Sequence, residues 1–309
     1  MEISILLIKQ IIQMFIMILF GYLMVKGKII KSEESKTISA LLLYVIIPCS
    51  LINSFSIEAT PEKMQGLMYS FLGAILVHLV FLIISEVFGK MFGFMPIEKA
   101  SIIYSNAGNM VIPLVSGIFG NEWVLYTSGY MVVQQFLIWT HGKNLVCNEK
   151  EFDIKKIIGN VSFIAIIIGL ILFVFNIQLP SVLSHTLESV GSMVGPLAMI
   201  VIGMILANMR IIDIFKEKRT YLICFFRLIV YPLIMIFVFK ITGLTTIHPD
   251  NHTIFLITLL ATSTPAASTI TQFAQMYDKH PGYASIINVM GVMLSIITMP
   301  LIVFIYQMF

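Results

Sequence analysis

The chain has 309 residues, 58% of them hydrophobic and only 11% charged, with a formal net charge of +3. Soluble domains carry roughly 25% charged residues, so the composition argues against a soluble enzyme or a nucleic-acid-binding module and for an all-α polytopic membrane protein. Three scattered cysteines, Cys49, Cys147 and Cys224, form no CxxC and predict no disulfide framework.

The N-terminal stretch MEISILLIKQIIQMFIMILFGYLMVKGKIIK has no basic leader region and no small-residue cleavage site, and Lys26, Lys28 and Lys31 follow the apolar run. That pattern predicts a first span that enters with its N-terminus outside. Apolar runs able to cross a ~30 Å hydrocarbon core follow in order at 4–25, 37–55, 65–88, 98–120, 123–140, 157–177, 183–207, 220–240, 253–277 and 283–307. The fourth and ninth are the weakest by hydropathy. The cytoplasmic stretches on this reading are 26–36, 89–99, 141–156, 208–219 and 278–282, and they hold fifteen of the nineteen Lys and Arg. A missed span would invert every later loop and destroy this bias. The expectation is therefore ten transmembrane helices in a bacterial-type plasma membrane, both termini outside.

Ten spans divide into five plus five, and an odd number per half reverses the second half, giving an inverted repeat. The first repeat is 1–140, a cytoplasmic linker covers 141–156, and the second repeat is 157–309. Span four then corresponds to span nine. Span four contains IYSNAGNMVIPLVSGIFG, with Asn106, Gly108, Asn109 and Pro113 inside a segment that should be uniformly apolar. Span nine contains LITLLATSTPAASTITQFAQMY, with Ser263, Thr264, Pro265 and Ser268.

A proline inside a helix removes a donor and clashes with the preceding turn, and lipid cannot satisfy the freed backbone groups. One such kink is commonly structural; two at matching places in an inverted repeat point to a binding site. Pro113 and Pro265 each suit the first position of a new half-helix, with Thr264 as N-cap of the second and Asn109 in a related place in the first. Two half-helix N-termini aimed at one point, each with about +0.5 elementary charge, would hold an anion. Asn106, Asn109, Ser263, Thr264 and Ser268 are the candidate hydrogen-bonding residues.

In the fourth span Asn106, Gly108, Pro113 and Leu114 match an Asn-x-Gly-x-x-Gly-x-Pro-Leu pattern, with Val111 at the second Gly. Pro265, Ala266 and Ala267 with Ala274 and Tyr277, the YVIIP stretch Tyr44–Pro48, and Ser295, Thr298 and Pro300 complete a likeness over essentially the whole chain. Gly291 and Val292 stand where a Ser-Thr pair is usual. In these features the chain resembles the auxin efflux carrier family. The resemblance implies a sodium/proton-antiporter or bile-acid-symporter-like elevator fold. It implies a scaffold of spans 1, 2, 6 and 7, a transport domain of spans 3–5 and 8–10, and a homodimer through the scaffold. It also implies small organic anions, carboxylates such as malate, malonate or auxin-like acids, as substrates.

Other polar residues fall within spans. Glu86 and Arg227, in corresponding spans three and eight, are candidates for a buried pair; His78 is a candidate for proton coupling; Gln134, Gln135 and Asn288 are candidates for binding substrate or a cation. No Asp lies near the middle of a span, which weighs against a sodium/proton antiporter. HPDNH, His248–His252, has histidines four apart, but its proline favours an ordinary loop, and no general base of the HExxH type is present. The expectation is a carrier and no enzyme, with no metal, no cofactor beyond a possible co-transported Na+ or H+, and no nucleic-acid partner. A sodium-coupled symporter of the bile-acid type is the alternative.

Overall fold

The computed structural model describes residues 2–148, 159–208 and 215–308. The expected linker 141–156 and the loop 208–219 therefore fall partly outside the described residues, with Lys150, Lys155, Lys156 and Arg210. The described chain is helical throughout, and each apolar stretch drawn from the sequence is met by helix. In order these are α1 (Glu2–Lys26), α2 (Ser32–Phe55), α3 (Pro61–Phe92), α4 (Pro96–Ile103), α5 (Ala107–Phe119) and α6 (Leu125–Leu137). After them come α7 (Val161–Val174), α8 (Ser181–Gly191), α9 (Val194–Asn208), α10 (Lys218–Thr242), α11 (Asn251–Ser263), α12 (Ser268–Met276) and α13 (Pro281–Gln307). The fourth and ninth stretches are each two helices in tandem, α4 with α5 and α11 with α12.

Five helical segments among the described residues are long and apolar enough to cross a membrane: Ser32–Phe55, Pro61–Phe92, Ser181–Asn208, Lys218–Thr242 and Pro281–Gln307. Shorter apolar helices are Ile12–Lys26, Ala107–Phe119 and Val161–Val174. Their surfaces are what a lipid-facing helix needs. On α3, Met68, Leu72, Ile75, Leu79, Ile83 and Val87 are exposed at spacings of three and four, one face of a helix.

Local sequence sets the ends and the irregularities. Thr60 caps α3, its Oγ1 accepting from the Lys63 N–H at 3.3 Å, and Pro61 begins the helix where no N–H is needed. Gly93, with φ of +62°, ends it. Wide π-helical turns at Leu42–Ile46 and Phe226–Val230 lie just ahead of Pro48 and Pro232. Each proline has no N–H for the carbonyl four residues back, and that carbonyl falls inside the widened turn.

Packing falls into two groups. α1 lies along α9, and α2 lies against α7 and α8. α3 packs on α6 and α11, and α10 packs on α11 and α13. The groups meet along α5, which α1 and α9 both touch. The α1–α9 contact is backbone against backbone: a Cβ on Gly21 would stand 2.1 Å from the Ile200 carbonyl oxygen, and one on Gly203 would stand 1.9 Å from that of Ile18.

Candidate functional site

The two interruptions cross each other. After α4 the chain is extended at Tyr104 and bends at Asn106 into α5; after α11 it is extended from Thr264 to Ala267 before α12. The extended pieces run antiparallel as a single bridge between Ser105 and Ala266. The Asn106 N–H donates to the Pro265 carbonyl at 2.9 Å, and the Ala267 N–H donates to the Tyr104 carbonyl at 2.9 Å. Buried backbone groups away from water must find partners, and here each break supplies them to the other.

Side chains from two further helices complete the satisfaction. On α6, Gln134 Oε1 accepts from the Ser105 N–H at 2.8 Å, and Gln134 Nε2 donates to the Ser105 carbonyl at 2.9 Å. On α13, Asn288 Nδ2 donates to the Ala266 carbonyl at 2.9 Å. Both amides expected to bind substrate or cation thus face the crossing, yet they are held by its backbone. Gln135 is half-buried. Gly291 lets α13 lie against the second break, since a Cβ there would come within 3.1 Å of Pro265 Cβ.

The half-helices begin at Ala107 and Ser268, so the expected starts after Pro113 and at Pro265 are corrected. Pro113 lies well inside α5 and packs against Gly195. The break comes earlier because the extended backbone at Tyr104–Asn106 is held by its partner segment. Thr264 is likewise no N-cap. It ends α11, and its hydroxyl donates to the Ala261 carbonyl at 2.9 Å. The Ser263 hydroxyl donates to the Leu259 carbonyl at 2.8 Å. Both hydroxyls are turned back onto their own helix.

At the two helix starts stand Asn106, Gly108, Asn109 and Ser268. Asn106 is buried, and its Oδ1 accepts from Asn109 Nδ2 at 3.1 Å. Gly108, Asn109 and Ser268 are half-buried and border accessible space. The first N–H groups of a helix have no partner within it, and two such sets begin within two residues of the bridge.

Arg227 stands at the ends of α4 and α11. It does not pair with Glu86, whose carboxylate lies 2.9 Å from Lys99 Nζ on the surface. The guanidinium is buried, its Nε donating to the Thr264 carbonyl at 2.9 Å and Nη1 to the Ile102 carbonyl at 3.0 Å. The pairing expectation rested on corresponding spans, but Arg227 is at the level of the break and Glu86 lies nearer the end of α3. His78 is buried beside this group, with Nδ1 donating to the Ala74 carbonyl at 2.7 Å and its ring 4.9 Å from that of Tyr130.

A cavity of about 520 Å³ lies beyond the crossing, between α1, α2, α5 and the α8–α9 joint. Its walls carry Gln13, Asn53, Pro113, Ser116, Glu188 and Ser192. Of the residues singled out from sequence only Pro113 lines it. Gln10 and Gln13, three apart in the apolar α1 and both lining the cavity, were the signal for a polar face there.

A family described as membrane transport protein matches residues 6–152 and 145–303. No curated protein matches the chain.

Proposed function

The chain belongs to the membrane transport protein family, the auxin-efflux-carrier-like transporters, and from that premise we propose a secondary carrier that moves small organic anions by alternating access. Members of this family are transporters and not enzymes, and the chain is a multi-pass membrane protein. The proposal adds the ten-span arrangement of two inverted five-helix repeats in a plasma membrane, both termini outside. The helix groups described above support it: α1, α2 and α7–α9 would form the scaffold, and α3–α6 with α10–α13 the moving domain. A homodimer through the scaffold is part of the same proposal.

One observation carries the substrate class. The antiparallel bridge between Ser105 and Ala266 holds the starts of α5 and α12, each two residues beyond it, close to one crossing; helix dipoles at such starts favour negative charge and their free N–H groups favour an acceptor. A carboxylate supplies both. Asn106, Gly108, Asn109 and Ser268 would border it, and Pro113 would turn the path toward the cavity. Malate, malonate and auxin-like acids are the candidates. Movement of one charge through 100 mV is worth about 2.3 kcal/mol, enough to bias an anion out of a negative interior.

The test is uptake of radiolabelled malate, malonate and indole-3-acetate into proteoliposomes, wild type against Asn106→Ala, with potential and sodium gradients set independently. Saturable, potential-sensitive uptake that collapses in the variant is the expected result. Absence of uptake of every acid overturns the substrate class.

A further inference from the structure

The C-terminal ends of α4 and α11 meet at one buried side chain, Arg227. α4 ends at Ile103 and α11 at Ser263, and the carbonyls that Arg227 binds, Ile102 and Thr264, sit at those two ends. The last carbonyls of a helix lack partners and carry the negative end of its dipole, about −0.5 elementary charge each. Two such ends meeting in a dry interior are a place for a cation. Arg227 reaches it from the π-helical turn Phe226–Val230, a local widening that Pro232 accounts for.

Among the described residues nothing acidic pairs with this arginine, and its two backbone partners are neutral. The Tyr130 hydroxyl lies close by, and Nη2 has no hydrogen-bond partner among the described residues. A buried charge without a counter-charge is costly. Here the compensation comes from two helix ends at once, an arrangement that exists only while the crossing is intact.

We propose that Arg227 is a built-in substitute for a coupling cation. It fills with a tethered guanidinium the place that the two helix ends offer to a cation, so transport proceeds without sodium. Removing the side chain opens a cation site made by the Ile102 and Thr264 carbonyl oxygens, with the Tyr130 hydroxyl beside it. The inference deepens the carrier reading and rests on it for its transport consequence. Its binding consequence stands apart. Gln134 Oε1, an oxygen otherwise suited to a cation, is already engaged by the Ser105 N–H, and Asn288 is tied to the bridge through its Nδ2.

Purified wild type, Arg227→Ala and Arg227→Lys would be melted in detergent with sodium, guanidinium at a non-denaturing concentration, or choline, at equal ionic strength. The same variants would be assayed for uptake with sodium replaced by choline. Wild type is expected to melt and transport alike in sodium and choline. Arg227→Ala is expected to melt higher in sodium or guanidinium than in choline, and to lose roughly tenfold or more of its uptake when sodium is removed. Strict sodium dependence of the wild type, or an Arg227→Ala protein indifferent to every cation, overturns the inference. If Arg227→Ala does not fold, Arg227→Lys decides. Retained sodium-independent melting and uptake supports a role for the charge, and loss of either refutes it. If the wild type carries none of the acids, the anion reading falls while the melting experiment still judges Arg227.

Discussion

Gln134 holds the backbone of Ser105 in both directions, accepting from its N–H at 2.8 Å and donating to its carbonyl at 2.9 Å. The side-chain amide acts as a strand of one residue, on the edge of the bridge that Ala266 does not occupy. A break in a membrane helix needs such a partner because lipid offers none.

Gln134→Leu removes both bonds and leaves a buried donor and a buried acceptor, each worth about 1–3 kcal/mol when unsatisfied. The expected result is a clear fall in melting temperature together with loss of transport. Gln134→Glu keeps the shape but turns the donor toward the Ser105 carbonyl into an acceptor, so it should fail too. Gln135→Leu, one residue on and half-buried, should melt close to wild type. Equal effects at the two positions would refute the role given to Gln134.

Two ion pairs lie close together on this chain and should differ in weight. Glu98 is fully buried; Arg219 binds it through two nitrogens, one at 2.8 Å, the Tyr283 hydroxyl donates at 2.7 Å, and the Met95 N–H donates at 2.7 Å. Glu98 lies on α4, Met95 just precedes it, and Arg219 and Tyr283 come from α10 and α13, so the carboxylate ties three helices. Arg219→Ala leaves that carboxylate buried and short of its cation; because Arg219 itself is 37% exposed, the cost is about 1–3 kcal/mol. Lys99→Ala breaks a pair whose Glu86 side chain is 56% exposed, which is worth about 1 kcal/mol at most. Thermal melts of the two variants should rank in that order, and the reverse order would show that burial does not set their weight.

The α1–α9 seam makes a sharper demand. A methyl group on Gly21 or Gly203 meets main chain, at 2.1 Å and 1.9 Å, rather than a side chain that can swing away. Overpacking of ordinary cores costs about 1–3 kcal/mol, and a backbone clash exceeds that range because both helices must shift. Gly203→Ala is expected to lower the yield of monodisperse protein or to melt far below wild type. Gly282→Ala, where a Cβ meets nothing within 4 Å, is the matched control.

The sequence displays the positions of the helices because hydrophobic runs and loop lysines are set by the bilayer, a solvent common to every span. It also displays that spans four and nine are interrupted. The point of interruption was misplaced in span four, since Pro113 is the visible breaker while the extended backbone at Tyr104–Asn106 exists through pairing with Pro265 and Ala267, some 160 residues away. The partner of Arg227 was hidden for a related reason. Matching charges along a sequence finds acids, whereas the guanidinium is bound by the carbonyls of Ile102 and Thr264, groups that every residue carries. The hydroxyls of Ser263 and Thr264 mark them as candidates in the sequence, but helical geometry returns such hydroxyls to the carbonyl one turn back.

The cavity between α1, α2, α5 and the α8–α9 joint gives the last prediction. If substrate passes between the crossing and this space, filling the space should stop transport without harming the fold. Asn53 lines the cavity from α2 and Ser192 from the α8–α9 joint, and both are at least partly exposed, so a larger side chain at either can extend into open volume. Asn53→Trp and Ser192→Trp add a bulk on the order of 100–150 Å³ to a space of about 520 Å³. Both should melt near wild type yet take up the acids several-fold more slowly, with the loss appearing in maximal rate. Phe237→Trp, on the exposed face of α10, should alter neither quantity. Full transport by both cavity variants would show that the path from Asn106 and Ser268 leads elsewhere.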